Sequence, residues 1–137
     1  MTAPFTATVL QPAGWAAPKG YANGVAATGL QVFVAGQIGW NAQCAFESDD
    51  LVDQVRLALA NIKAVLAEAG AQPHHITRMT WYLVDKREYL KRAREIGAVF
   101  REVIGHYGIA MTAVQVAGLI EDRAQVEIEV TAVVPQD

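Results

Sequence analysis

Near the C-terminal end, Val126-Glu127-Ile128-Glu129-Val130 sets two carboxylates two residues apart in a strictly alternating run. In a strand, Val126, Ile128, Val130 and Ala132 point one way, and Gln125, Glu127, Glu129 and Thr131 the other. On pattern alone the two glutamates read as solvent-facing charge. If that face is covered by another surface, at least one of them is partly desolvated. Its pKa then rises, and it becomes a candidate general base or water-positioning group. A second chemically suggestive stretch runs from Leu30 to Trp40, LQVFVAGQIGW. It begins as a buried strand and ends in Gly36-Gln37, where a missing Cβ lets another group approach the backbone. A buried strand that runs into a glycine, an amide and Trp40 is a place to build a pocket.

Other chemistries are excluded by type and spacing. There is no Gly-rich phosphate loop between a strand and a helix, no Cys-x-x-Cys and no Gly-x-Ser-x-Gly. His74 and His75 stand together after Pro73 with no third ligand near in sequence, so they read as a surface loop and not as a metal site. Cys44 lies in a polar loop with no nearby histidine to activate it. Arg87, Lys91, Arg94 and Arg101 form the solvated side of a helix, with no interleaved aromatics to stack nucleobases.

The elements that must position these residues follow from periodicity. Phe5–Leu10 is a short strand, Gln11–Gly20 a loop rich in Pro and Gly, and Tyr21–Ala27 forms a hairpin with the Leu30 strand through Thr28-Gly29. Ser48, Asp49 and Asp50 open a helix whose apolar stripe is Leu51, Val55, Leu59, Ile62, Leu66 and Ala69, closed by Gly70 and Pro73. Ile76–Val84 is a strand. Asp85 and Glu88 have the form of a capping box for a second helix through Tyr89, Ala93, Ile96, Phe100 and Ile104. Met111–Ala117 and Ala124–Val134 are the last two strands. The order β-β-β-α-β-α-β-β predicts an α+β fold, a mixed sheet with two helices packed on one face. The other face still carries Phe33, Trp81 or Tyr82, and Met111, with Glu127 and Gln115 in or beside it. That predicts burial against further subunits.

At 137 residues, 53% hydrophobic and 18% charged, the chain is expected to form one domain over residues 1–137. No apolar run spans a membrane, and Met1–Phe5 lacks a signal-peptide layout, so the expected location is cytoplasmic. One cysteine permits no internal disulfide. A net charge of −3 gives no reason to expect nucleic acid or an anionic membrane as partner.

These residues, taken as a series, resemble the Rid family of reactive-intermediate deaminases, also called YjgF-like proteins. The series is Tyr21, then Val32-Phe33-Val34-Ala35-Gly36-Gln37-Ile38, then Gln54, Leu59 and Asn61-Ile62 with Ala69-Gly70, then Met111-Thr112-Ala113-Val114-Gln115-Val116 and Val126-Glu127-Ile128-Glu129. The similarity runs from about Tyr21 to Val134. It implies a chorismate-mutase-like fold, a homotrimer with clefts between subunits, and hydrolysis of imines or enamines to ammonia and a ketone or keto acid, without metal or organic cofactor. It also implies that Glu127 places the attacking water and that Tyr21 helps enclose the substrate. Ala35, Gly36, Met111 and Ala113 take the other motif positions, and Trp40 and Gln115 are added from the strand readings.

Two departures from the family pattern change the expectation. Well-known members carry an arginine where this chain has Met111, and that arginine grips a substrate carboxylate as a bidentate pair. They also commonly have a serine at the position of Ala35 and a small polar or thiol residue at that of Ala113. The pocket is therefore expected to be more apolar, suited to a larger or aromatic ligand and poorly suited to simple 2-imino acids. Glu127 favours an enzyme. The missing arginine favours a non-enzymatic trimer that binds a small ligand or partner protein in the same cleft, and endoribonuclease activity is a distant third.

Overall fold

The computed structural model describes residues 7–136, so Phe5 and Thr6 of the first expected strand lie outside the described residues. The elements are β1 (Thr8–Leu10), β2 (Gly24–Ala26), β3 (Leu30–Ile38), α1 (Leu51–Glu68), β4 (Ile76–Leu83), α2 (Lys86–Lys91), α3 (Ala93–Val103), β5 (Ala110–Gln115) and β6 (Val126–Val134). The main sheet has the order β3-β6-β4-β5; its pairs are antiparallel except β4 with β5. The fold is the expected mixed α+β arrangement, with its core between the helices and one sheet face.

α1 forms where its caps and stripe predict. The Asp50 side chain accepts from the Asp53 amide (3.1 Å), and Leu51, Val55, Leu59, Ile62 and Leu66 are buried. At its end Gly70 is left-handed (φ +69°), with Ala71 N–H donating to Leu66 O and Gly70 N–H to Ala67 O, both at 3.0 Å. This pair of bonds satisfies carbonyls that the helix leaves over. Gln54 is buried and spans three segments: its amide donates to Ser48 O (3.1 Å) and Arg123 O (2.9 Å) and accepts from Gln125 N–H (2.8 Å). Gly39 makes this possible, because a Cβ there would overlap Gln54.

Two expectations are corrected. The second helix is not continuous: it breaks at Arg92 (φ −100°, ψ 14°) into α2, none of whose residues is fully buried, and α3, which carries the buried Ile96, Val99 and Phe100. The Arg92 guanidinium is drawn onto Asp50 (2.9 Å) across the helix layer and onto Glu95 (2.9 and 3.0 Å) within α3. That guanidinium holds the carboxyls of Asp50 and Glu95 below their usual range. The hairpin also differs. β2 pairs antiparallel with β1, not with β3, and Ala22 is held at the opposite sheet edge by its N–H to Ile109 O (2.8 Å).

Candidate active site

The catalytic candidate lies on β6. Its flanking residues Val126 and Ile128 are buried, so Glu127 projects to the sheet face that no helix covers. It stands opposite Ile38 of β3 and Tyr82 of β4. The β3–β6 register shifts between Val34 and Gln37, and the bulge this creates contains Ala35 and Gly36. A Cβ on Gly36 would overlap the Glu127 carboxylate at Oε2, so this glycine is what allows the carboxylate to lie against the strand. Among the described residues the Glu127 carboxylate has no hydrogen-bond donor. Glu129, two residues on, differs: it accepts the Tyr82 hydroxyl at 2.6 Å. That bond, then burial and the carboxylate charges, raises the pKa of Tyr82.

Tyr21, Met111 and Ala113 converge elsewhere, on a cavity of about 550 Å³ between β5, α3 and residues 19–21. The parallel register pairs Met111 with Met79, Ala113 with Trp81 and Gln115 with Leu83. Met79, Trp81 and Leu83 are core residues, so Met111 and Ala113 face the helix side. The expectation that Met111, Trp81 and Gln115 share a face with Phe33 and Glu127 is thereby corrected. Tyr82 and Phe33 do lie on the uncovered face, and Phe33 is 71% exposed.

Two of the proposed site residues are engaged apart from both groups. Trp40 packs its ring on Phe46 (5.8 Å), and its carbonyl accepts from Asn61 Nδ2 (2.9 Å). Gln115 Oε1 accepts the Lys86 amide (2.8 Å) and so anchors the start of α2. One chain therefore assembles Tyr21, Met111 and Ala113 on one side of the sheet and Ala35, Gly36 and Glu127 on the other. It does not bring the two groups together. The cavity also recruits Tyr89, Phe100 and Tyr107, which sequence reasoning had assigned to core or left unremarked. The signal was present in the helical spacing of Tyr89, Ala93, Ile96 and Phe100, which served for core and cavity wall alike.

The family model for Endoribonuclease L-PSP matches residues 13–134. The chain belongs to this family, the Rid or YjgF-like proteins. A RutC family protein of Pyrococcus abyssi is 33% identical over 102 residues, which cover 74% of this chain and 76% of that one. TdcF of Escherichia coli, provisionally named a reactive intermediate deaminase, is 33% identical over 108 residues, covering 77% and 80%. Among solved structures, YyfB of the Rid family from Yersinia pestis superposes with a TM-score of 0.82 at 29% identity, covering 93% of this chain and 98% of that one. E. coli TdcF with bound serine gives a TM-score of 0.68 at 31% identity, with the same coverage of both chains. In this Rid-family chain no helix among the described residues is long and apolar enough to cross a membrane.

Proposed function

We propose that this protein is a cofactor-free deaminase that hydrolyses a reactive imine or enamine to a ketone or keto acid and ammonia. The site is a cleft completed between subunits of a homotrimer. The observation that carries the reading is Glu127, a carboxylate lying against Gly36 that accepts no hydrogen bond among the described residues, beside a Glu129 already committed to Tyr82. TdcF supports it through the reaction class in its name.

The chemistry suits a single carboxylate. A water hydrogen-bonded to Glu127 gives up a proton as its oxygen adds to the imine carbon, and the imine nitrogen is protonated. The resulting carbinolamine then expels ammonia as its hydroxyl proton leaves and the C=O bond forms. The sum, imine plus water to ketone plus ammonia, transfers no electrons, and an enamine enters after tautomerising to the imine. Because Tyr21 and Met111 lie across the sheet from Glu127, one small molecule meets both only if a second copy brings its uncovered face to the cavity. The exposed Phe33 and Val114 give that face the apolar surface such packing needs.

A second reading, a non-enzymatic trimer that binds a small ligand in the same cleft, is favoured by Met111. A thioether there offers no partner to a carboxylate.

The test is Glu127→Gln, assayed by ammonia release from imines generated in situ by an amino-acid oxidase. Turnover is expected to fall about 10²–10⁴-fold, the usual general-base contribution. Melting temperature and trimer mass by light scattering are expected to stay unchanged. Undiminished turnover would return Glu127 to surface charge and favour the binding reading, and a wild-type monomer at micromolar concentration would remove the shared cleft.

A further inference from the structure

The cavity beside Met111 has features that a two- or three-carbon ligand would not use. Its volume of about 550 Å³ falls within the roughly 300–1,000 Å³ of sites that enclose whole small molecules. Tyr21, Tyr89, Phe100 and Tyr107 line it. Tyr21 and Tyr107 are exposed at its rim and Tyr89 is half-buried, so aromatic surface is open to whatever enters the cavity. Below the wall lies Trp81, whose buried indole N–H has no acceptor among the described residues. Trp81 packs on Tyr89 (6.1 Å) and Phe100 (6.4 Å) and pairs in register with Ala113.

Gly97 adds an independent argument. It stands inside α3 and lines the cavity, and a Cβ built on it meets no atom within 4 Å. A glycine inside a helix is destabilising relative to alanine. Here no packing contact requires it; what its missing side chain provides is room in the cavity. Lys19 supplies the charge. It is the one charged residue among those lining the cavity, it is exposed, and among the described residues it has no carboxylate partner. It also lines the adjoining hollow with Trp15 and Pro18.

We infer that the substrate is an imine with a bulky, preferably aromatic, side chain, and that its carboxylate is held by Lys19 at the cavity edge instead of by a cation at position 111. The side chain fills the space beside Gly97, Tyr89 and Tyr107. The reacting carbon stays at the mouth next to its carboxylate, where Glu127 of a second copy approaches. The inference rests on the cleft reading above and deepens it by naming the substrate class.

The test is calorimetric binding of product analogues, which needs no turnover. Phenylpyruvate is expected to bind wild type about 10- to 150-fold more tightly than pyruvate, from burial of one aromatic ring. Gly97→Leu is expected to abolish most of that preference while melting at the same or a higher temperature, because leucine is the better helix former. Should that variant not fold, Gly97→Ala is expected to give a smaller loss in the same direction. Lys19→Gln is expected to weaken phenylpyruvate about 2- to 5-fold, as for an exposed ion pair, and to leave the uncharged ketone phenylacetone unmoved. Glu127→Gln is expected to bind phenylpyruvate as wild type does. Equal affinity for pyruvate and phenylpyruvate, or undiminished phenylpyruvate binding by a folded Gly97→Leu, overturns the bulky-substrate assignment. An unaffected Lys19→Gln overturns the anchor. Tight phenylpyruvate binding without any imine hydrolysis would leave the bulky-ligand assignment and its Lys19 anchor standing and overturn the catalytic reading instead.

Discussion

The two faces of the sheet around β5 and β6 differ in nearly every chemical respect. On the helix side, Tyr21, Met111 and Ala113 line a cavity whose only charged lining residue among those described is Lys19. On the uncovered side, Arg78, Thr80 and Glu129 line a smaller hollow of about 320 Å³ with Phe33 and Ala35, and beside it Glu127 has no hydrogen-bond donor among the described residues. In the proposed function the first surface would enclose the apolar part of the substrate and the second would handle protons. Neighbouring side chains on a strand must alternate, so residues of β5 and β6 that sit close in the sheet can serve opposite faces. Within one chain, the residues proposed for recognition and for proton transfer are separated by the sheet's own thickness, and the proposed assembly is the arrangement that would reunite them.

The sharpest way to break this comparison is to disturb the uncovered side alone. Gly36→Ala puts a methyl group where the Glu127 carboxylate lies. Displacing a catalytic group by about 1 Å costs on the order of 10²-fold in rate. Turnover is expected to fall by that factor while phenylpyruvate affinity, measured by calorimetry, holds. A parallel loss of affinity would mean that the two faces are not independent.

The reverse experiment acts on the helix side. Met111→Arg introduces a guanidinium into the apolar cavity, and a hydrogen bond to a charged partner contributes about 1.5–3 kcal/mol. Pyruvate binding is expected to improve about 10- to 150-fold. The empty variant is expected to melt below wild type and to recover part of the difference with pyruvate, because an arginine without a partner in apolar surroundings is costly. If wild type already binds pyruvate as tightly, another cation serves. Lys19 is then the one to substitute, since it lines the same cavity, whereas Arg78 lies on the uncovered face and Arg123 is occupied by Asp49 (2.9 Å).

Smaller effects separate the halves further. Glu129→Gln is expected to change turnover less than about 5-fold, since its carboxylate is engaged by the Tyr82 hydroxyl.

The helix side should also respond to acid. Burial, with the nearby His74 charge, pushes the imidazoles of His75 and His106 below the ordinary 6.5. The unfolded chain then takes up these protons more readily than the folded one. Their stabilisation is complete above about pH 6.5 and is lost as the pH falls through the window below it. Melting temperature is expected to drop between pH 7 and pH 5. His75→Asn should flatten that drop, because it keeps an acceptor for the Gln72 amide that now reaches Nδ1 at 2.9 Å. An equal slope in the variant would assign the effect to other groups.

Much of this molecule is written in local pattern. The α1 stripe from Leu51 to Leu66 with its Asp50 and Gly70 ends and the alternation of β6 each depend on neighbours a few residues away. Periodicity and capping chemistry therefore suffice to read them, and they determine the α+β class and the face of Glu127 relative to Ile128. What tertiary structure alone decided is how those faces meet. Whether Met111 joins Phe33 or Met79 is a matter of register between β4 and β5, which are separated in sequence by two helices. Whether β2 pairs with β3 depends on the hold that Ile109 has on Ala22, far along the chain. The break at Arg92 answers to Asp50, forty-two residues earlier. Trp40 and Gln115 carry side chains that suit a pocket, yet Phe46 and the Lys86 amide claim them first. Local residues set which way each side chain turns from its own strand or helix. Non-local pairing sets what that side chain meets, because the energy of those contacts exists only once the distant partner has arrived.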